Sequence, residues 1–300
     1  MAEAVAWVAV DWGTSNVRVW GIGPDGAVRF SASSDRGMGK ISSADYPAVL
    51  NGLLAPYGAV GRDALICGMA GARQGWIEAP YIETPAALTR LIEGAVAPPG
   101  VPARILPGVC QRRGSEDVMR GEETQLLGLL TLRPGYAGPV VMPGTHSKWV
   151  ALEDGHIERF ATAMTGELYD VLGTHSVLRH SLAGERDGAA TEDGIAAGLA
   201  AGLEHPARLT GLLFRTRAAS LLSGRGADWC SGYLSGLLVG AEIGGHRDWL
   251  GSGPVPLIGS ARLCRLYAAG FARIGVASEI IDATDAVLAG LKAARQQGTN

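Results

Sequence analysis

"VAVDWGTSNVRVW", Val8 to Trp20, is the stretch on which the fold turns. An apolar run ends in Asp11. A turn of Gly13, Thr14 and Ser15 follows, and the chain returns at once as a second apolar run with Arg18 in its middle. Such a hairpin delivers a carboxylate and two hydroxyls to its tip. Far downstream "VVMPGTHSKWVAL", Val140 to Leu152, repeats the phrase. When Gly13 is laid on Gly144, Val10 meets Val141, Thr14 meets Thr145 and Val19 meets Val150. Both hairpins are followed by a third apolar run. The order reads as an internal duplication of an α/β unit that opens strand–turn–strand.

Working outward, strands are expected over residues 5–10, 17–22 and 27–33, with "GPDGA" as a hairpin turn. A helix is expected over 45–57, a strand at "ALICGMAG", a helix over 86–94 and short strands near 103–106. The second half of "GVCQRRGSEDVMRGEETQLLGLL" reads as a helix. The pattern then restarts at Gly138 with strands over 140–142, 148–152 and 156–161. Helices follow over 167–175, 194–203, 211–222 and 229–240, then a strand over 255–258 and helices over 261–273 and 285–297. Thr284 is the expected N-cap of the last helix.

The 300 residues, 47% hydrophobic and 18% charged, exceed what one core usually holds, so two domains are expected. The net charge is −3, the pI is about 6.1 and no basic run stands out, which argues against nucleic acid and anionic membrane as partners. The N-terminal segment lacks a basic leader, and no apolar stretch reaches the roughly 20 residues of a membrane span. Four scattered cysteines, without CxxC or zinc spacing, read as buried thiols in a reducing cytoplasm. The 44 glycines show no short period and mark tight turns.

A glycine at each hairpin tip lets backbone approach a ligand, and successive N–H groups there make an anion nest. The two turns therefore suit phosphate oxygens, held by Gly13, Thr14 and Ser15 in one half and by Gly144, Thr145 and Ser147 in the other. Asp11 is placed to hold a magnesium ion through its waters. One such turn alone is often only a turn; two at matching places in a repeat carry the reading.

"DWGTSNVR" resembles the first phosphate loop of the superfamily of sugar kinases, actin and heat-shock chaperones, which has a duplicated ribonuclease-H-like fold. More narrowly, "VMRGEETQLLG", "VMPGTHSKWV", "MTGELYDVL", "GWIEAPY" and "YLSGLLVGAEI" resemble the 2-dehydro-3-deoxygalactonokinase family. These phrases run from about residue 8 to about residue 270. The resemblance implies two lobes with a cleft for ATP and substrate between them. Residues 1–134 would carry the first phosphate loop and the sugar-acid site, and 135–300 the second loop and the adenosine site. It also implies ATP- and Mg²⁺-dependent phosphorylation of the 6-hydroxyl of 2-dehydro-3-deoxy-D-galactonate, in galactonate breakdown. Relatives in the superfamily often carry an aspartate in the second turn; here Met142 faces Asp11, and Thr145, His146, Ser147 and Lys148 follow. Asp11 is then the main organiser of metal. Lys148 is read as a phosphate partner or a solvated strand residue, and His146 as a polar turn residue.

A 2-oxo acid offers a carboxylate, which arginine binds bidentately. Arg73 and Gln74 in "GMAGARQGWIEAPY" are candidates to reach it, with Trp76 and Tyr81 either as a wall for the carbon chain or as packing beneath the loop. Arg18 can meet substrate or phosphate, or pair with a carboxylate of its own lobe. Glu167 at a helix start is a ligand for sugar hydroxyls or a partner of the helix dipole. In this superfamily a turn such as Gly259-Ser260, opening a helix, faces the nucleoside, and a helix N-terminus suits polar ligand atoms. The glycines of "YLSGLLVGAEI" are read as close helix packing.

The substrate hydroxyl needs a proton acceptor, and Asp117, Glu122 and Glu123 are the candidates. With residues 118–130 wound as a helix at about 100° per residue, Glu122 and Glu123 fall inside the apolar arc. Asp117 falls opposite, unless it lies in a turn before the helix. Glu122 ranks first and Asp117 second. Two other readings stay open: a kinase for another sugar acid or an anhydro-sugar, and an actin-like nucleotide switch without kinase activity. The galactonate and gluconate epimers leave no distinguishing mark, and a homodimer is compatible with a sequence silent on oligomeric state.

Overall fold

The computed structural model describes residues 4–112, 115–184 and 188–298. The chain divides into two compact units. One is Met1–Ala137 with Leu152–Arg159 and Ala283–Asn300; the other is Gly138–Ala151 with Phe160–Asp282.

In the first unit β1 (Trp7–Trp12), β2 (Val17–Ile22) and β3 (Val28–Ser34) form a meander, followed by α1 (Tyr46–Leu54) and β4 (Ala64–Gly68). Then come β5 (Tyr81–Glu83), β6 (Ala86–Ala87), β7 (Ala103–Ile105), β8 (Gly108–Gln111), β9 (Asp117–Met119) and α2 (Glu122–Leu132). The main sheet has the order β3-β2-β1-β4-β7. Pairs β1–β2 and β2–β3 are antiparallel; β4 runs parallel to β1, and β7 to β4. A central strand covered on both faces must be apolar throughout. In β1 every residue but Asp11 is buried, and Asp11 stands one residue from the carboxyl end. Strands β5, β8 and β9 form a separate small sheet.

The second unit holds β10 (Gly138–Met142), most of β11 (Ser147–Glu153), the second half of β12 (His156–Ala163), α3 (Thr165–His175), α4 (Arg179–Leu182), α5 (Gly188–Glu204), α6 (Leu209–Ser223), α7 (Ala227–Gly245), β13 (Val255–Gly259), α8 (Ala261–Arg273) and β14 (Ser278–Asp282); the far ends of β11 and β12 belong to the first unit. Its strands lie in the order β12-β11-β10-β13-β14. Both sheets therefore place a strand meander first, with the meander's opening strand at the centre, and then add two parallel strands beyond it. That is the ribonuclease-H-like order twice over, and the duplication expected from the two Gly-Thr turns is present in the backbone.

The last helix, α9 (Ala283–Gln297), belongs to the first unit, although the sequence boundary at 134/135 assigns it to the second half. The reason is a close crossing with α2. A Cβ on Gly128 would lie 1.8 Å from the Ala286 carbonyl oxygen, and one on Gly290 would lie 1.9 Å from that of Thr124. Helices α5 and α7 meet in the same way: a Cβ on Gly198 would lie 2.2 Å from the Tyr233 oxygen.

Several local expectations change. The helix read from residue 118 begins only at Glu122, because Asp117–Met119 pairs with β8 and Gly121 breaks the path at φ 107°. The helix expected over 86–94 is a short strand and a 3₁₀ turn, since Ala86–Ala87 pairs with His156–Ile157. Strand β14 was not expected: "SEIID" shows only one buried residue and no apolar run. Thr284 lies inside α9 rather than capping it, and its hydroxyl accepts from Arg18. All four cysteines are buried and unbonded. Among the described residues no helix is long and apolar enough to cross a membrane.

Candidate active site

In the first unit the hairpin tip is built by its own turn and by a buttress. Gly13 N–H donates to the Asn16 carbonyl at 2.8 Å. The carbonyls of Gly13, Thr14 and Ser15 accept from Met38, Gly39 and Gly37 at 3.0, 2.9 and 3.3 Å. This requires a glycine at 37, where a Cβ would lie 2.4 Å from the Asn16 nitrogen. With the carbonyls turned to the buttress, Thr14 and Ser15 remain exposed.

Asp11 is half-buried beside this tip. Cross-strand pairing sets it opposite Arg18 on β2 and opposite Cys67 on β4. Arg18 Nη2 donates to Asp11 Oδ2 at 2.6 Å, and its Nη1 to Thr284 Oγ1 at 2.9 Å. Of the three roles open to Arg18, the structure shows the pair with a carboxylate of its own unit. Among the described residues no group of three or more His, Cys, Asp or Glu side chains could cage a metal. Magnesium seldom needs such a cage; it binds through one or two carboxylates, waters and substrate phosphates. Asp11 fits that pattern, and with Oδ2 engaged by Arg18 it fits a water-mediated contact better than a direct one.

Of the candidate bases, Glu122 and Glu123 lie near the carboxyl ends of β1 and β4, the edge where open α/β sheets hold ligands. Three backbones meet there. A Cβ on Gly68 would lie 2.6 Å from the Trp12 oxygen, and one on Gly121 would lie 3.3 Å from the Gly68 Cα. Both glycines have positive φ, 88° and 107°. Glu122 opens α2 half-buried, its Oε2 accepting from the Arg120 backbone N–H at 3.0 Å. Glu123 is fully buried; its Oε2 accepts from Gly121 N–H at 2.7 Å, and its Oε1 from Thr124 Oγ1 at 3.1 Å. Burial, and then the charge of Glu122, push the Glu123 carboxyl up to about 8. Burial first, and then the charges of Asp11 and Glu123, raise the Cys67 thiol, so both carboxyls lie within electrostatic reach of the same sulfur. Asp117 is neither helical nor in a turn. It lies on β9 opposite Gln111, with its Oδ1 accepting from its own neighbour Val118 at 2.7 Å.

In the loop after β4, Arg73 and Gln74 are exposed. Trp76 packs against Tyr46 and Trp12 with ring centres 5.6 and 6.3 Å apart, the packing role among its two alternatives. Tyr81 opens β5 and stays exposed.

In the second unit the tip at Gly144-Thr145 lines a cavity of about 240 Å³, together with Thr165, Tyr169, Arg262 and Tyr267. Helix α3 starts directly on this tip: Glu167 N–H donates to the Thr145 carbonyl at 3.0 Å, and a Cβ on Gly166 would lie 2.5 Å from the Gly144 oxygen. Gly259 abuts the same turn, its Cβ position 2.8 Å from the Pro143 oxygen. Ser260 caps α8, accepting from Leu263 N–H, and so brings Arg262 to the cavity wall.

Lys148 and Ser147 stand differently from their sequence reading, and Glu167 sits in the first turn of α3 as one of its two readings had it. Lys148 is buried rather than solvated, and its Nζ donates to Thr162 Oγ1 at 2.6 Å. Ser147 is fully buried, its hydroxyl 2.8 Å from that of Tyr267. Glu167 Oε2 lies 2.5 Å from His146 Nε2. Behind the tip lies a carboxylate that the sequence reading passed over. Glu242 accepts from Trp149 Nε1 at 2.8 Å, from the Tyr267 hydroxyl at 2.6 Å, and from Thr165. Burial raises it, and the three donors oppose that shift. The signal was present: one glutamate in the glycine-rich apolar helix "YLSGLLVGAEI".

A family model described as 2-keto-3-deoxy-galactonokinase matches residues 11–294. The chain is 46% identical over 299 residues to the probable 2-dehydro-3-deoxygalactonokinase DgoK1 of Rhizobium meliloti (strain 1021), covering 98% of each chain. It is 34% identical over 288 residues to the 2-dehydro-3-deoxygalactonokinase of Escherichia coli (strain K12), covering 95% of this chain and 96% of that one. A crystal structure described as a 2-dehydro-3-deoxygalactonokinase protein from Sinorhizobium meliloti matches with a TM-score of 0.91 at 46% identity, over 97% of this chain and 96% of the other.

Proposed function

The chain belongs to the 2-keto-3-deoxy-galactonokinase family, and from that premise we propose that it transfers the γ-phosphoryl group of ATP to the 6-hydroxyl of 2-dehydro-3-deoxy-D-galactonate. It is a sugar-acid kinase, phosphorylating 2-dehydro-3-deoxygalactonate in galactonate catabolism. The observation that carries the reading is the family match, which runs through both Gly-Thr turns. Family membership also sets aside the actin-like switch without kinase activity.

The chemistry follows from this chain's own residues. Thr14 and Ser15 at the first tip, where Gly13 closes the turn, and Gly144 and Thr145 at the second each offer backbone N–H groups and hydroxyls of the kind that hold phosphate oxygens. The 6-hydroxyl oxygen attacks the γ-phosphorus, the bond to the β–γ bridging oxygen breaks, and ADP leaves with that electron pair. The hydroxyl proton goes to a carboxylate, and Glu122 is our assignment for it. Glu122 is half-buried in the first turn of α2, at the sheet edge that also carries Asp11, whereas Glu123 beside it is sealed in the core. A magnesium ion, when bound, supplies charge neutralisation at the phosphates, with Asp11 as its carboxylate. The adenosine is assigned to the cavity at Gly144, Thr145 and the start of α8, which fits a ligand contacting a helix N-terminus. Four buried, unbonded cysteines suit a reducing cytoplasm.

A coupled ADP-release assay across a panel tests the reading. 2-Dehydro-3-deoxygalactonate should be used well, and galactonate and galactose poorly. Neutral sugars outcompeting the sugar acid would sink it.

A further inference from the structure

Arg120 is nine-tenths buried, at 9% exposure, and among the described residues only one of its three guanidinium nitrogens has a hydrogen-bond partner. Its Nη2 donates to the Ala79 carbonyl at 2.9 Å. Among the described residues its Nε and Nη1 have no hydrogen-bond partner. The centre of the guanidinium lies 4.3 Å from the middle of the Tyr81 ring. Gly71 makes room for it, since a Cβ there would stand 2.8 Å from Nη1. A carbonyl, a glycine and an aromatic ring are its direct contacts, and the Glu123 carboxyl feels its charge without a hydrogen bond to it. A buried cation is costly unless an anion meets it. The adjacent carboxylates are turned to the backbone: Glu122 accepts from the N–H of Arg120 and Glu123 from that of Gly121.

The location is as telling as the missing partner. Gly121, next in the chain, packs on Gly68, and a Cβ on Gly68 would lie 3.5 Å from Asp11 Oδ1. Arg120 therefore stands at the same sheet edge as the first phosphate tip and the candidate base. Tyr81, 39% exposed, lies over it. Arg73, by contrast, is exposed, and water satisfies a guanidinium there.

We propose that Arg120 receives the carboxylate of the 2-oxo sugar acid, and that the Tyr81 ring turns aside to admit it. The proposal rests on the sugar-acid kinase reading and gives it a specificity-determining residue. A planar guanidinium held by a carbonyl and a ring is pre-oriented for a planar carboxylate.

The test pairs a protein change with a substrate change. Wild type and Arg120→Met, which keeps an apolar stem in the buried site, are assayed with 2-dehydro-3-deoxygalactonate and with its C1 amide, which keeps every hydroxyl and loses the charge. Wild type should favour the acid over the amide in kcat/KM by about 10- to 100-fold, the worth of a hydrogen bond to a charged group. In Arg120→Met that preference should collapse, with the acid losing the same factor and the amide changing by less than about threefold. A purely structural arginine would lower both substrates equally and leave the preference intact, and that result overturns the proposal. Should Arg120→Met not fold by circular dichroism, Arg120→Lys is read the same way: a reduced acid preference supports the proposal, an unchanged one overturns it. A wild-type enzyme inactive on the acid would instead bring down the kinase reading on which this rests.

Discussion

Glu122 and Glu123 are neighbours with opposite environments. Glu122 is half-buried at the mouth of α2; Glu123 is sealed inside, its carboxyl raised to about 8 by burial and then by Glu122. Only the first is open enough to meet a substrate. Glu122→Gln should lower kcat by about 100-fold or more, the usual worth of a positioned base, with the KM for ATP nearly unchanged. Steady-state kinetics checks it, and an active Glu122→Gln beside an inactive Asp117→Asn would move the role to Asp117. Glu123 carries a stability signature instead. Its folded value lies above the ordinary 4.5, so from about pH 4.5 upward the unfolded chain gives up a proton that the folded one keeps. This contribution is fully present below pH 4.5 and is lost as the pH rises towards 8, at no more than about 1.4 kcal/mol per pH unit. Urea unfolding at several pH values should show a flatter profile for Glu123→Gln than for wild type. Parallel profiles would mean that Glu123 titrates alike in both states.

At the scale of elements, each Gly-Thr tip is held from behind rather than by its own turn alone. Residues 37–39 take up the carbonyls of the first tip, and the start of α3 takes up that of Thr145. The α2–α9 crossing does similar work for the candidate base. A side chain at 128 has no room, because its Cβ would stand 1.8 Å from a backbone oxygen that no rotamer can move. Gly128→Val should cost about 1–3 kcal/mol or more and drag the Glu122 end of α2 out of place. Thermal unfolding and kcat should fall together in this variant. A stable variant with normal kcat would show that the two helices can separate freely.

The whole molecule is two copies of one topology, with the chain's last helix returned to the first copy. Helix α9 buries Ala286, Val287, Leu291 and Ala294, and Thr284 at its start receives the Arg18 guanidinium that also pairs with Asp11. A chain ending at Asp282 should therefore lose stability in the first unit and not merely shed a tail. Circular dichroism of that truncation should show a lowered unfolding midpoint, and catalysis should be lost with it. A truncated protein as stable and active as the full chain would mean that the crossing with α2 is dispensable.

Strand–turn–strand periodicity, the two glycine–hydroxyl tips and their common spacing are local properties, and local properties are legible in a sequence. Hydrophobic runs, glycine turns and the repeat were enough for the duplicated α/β architecture and for Asp11 at the tip, while the family came from the resemblance of longer phrases. Partnership is not local. Whether Arg18 faced ligand or Asp11, whether Lys148 was solvated, and whether Trp76 formed a wall or packed inside depended on strands and loops brought together from elsewhere in the chain. The same holds for the helix start at Glu122, decided by the pairing of β9 with β8, and for β14, whose polar residues hide a strand that only its neighbour reveals. Two buried charges given no role in the reading, Arg120 and Glu242, are the clearest case. Their chain neighbours are unremarkable, and their meaning comes from burial, which is a property of the folded molecule and not of any stretch of it.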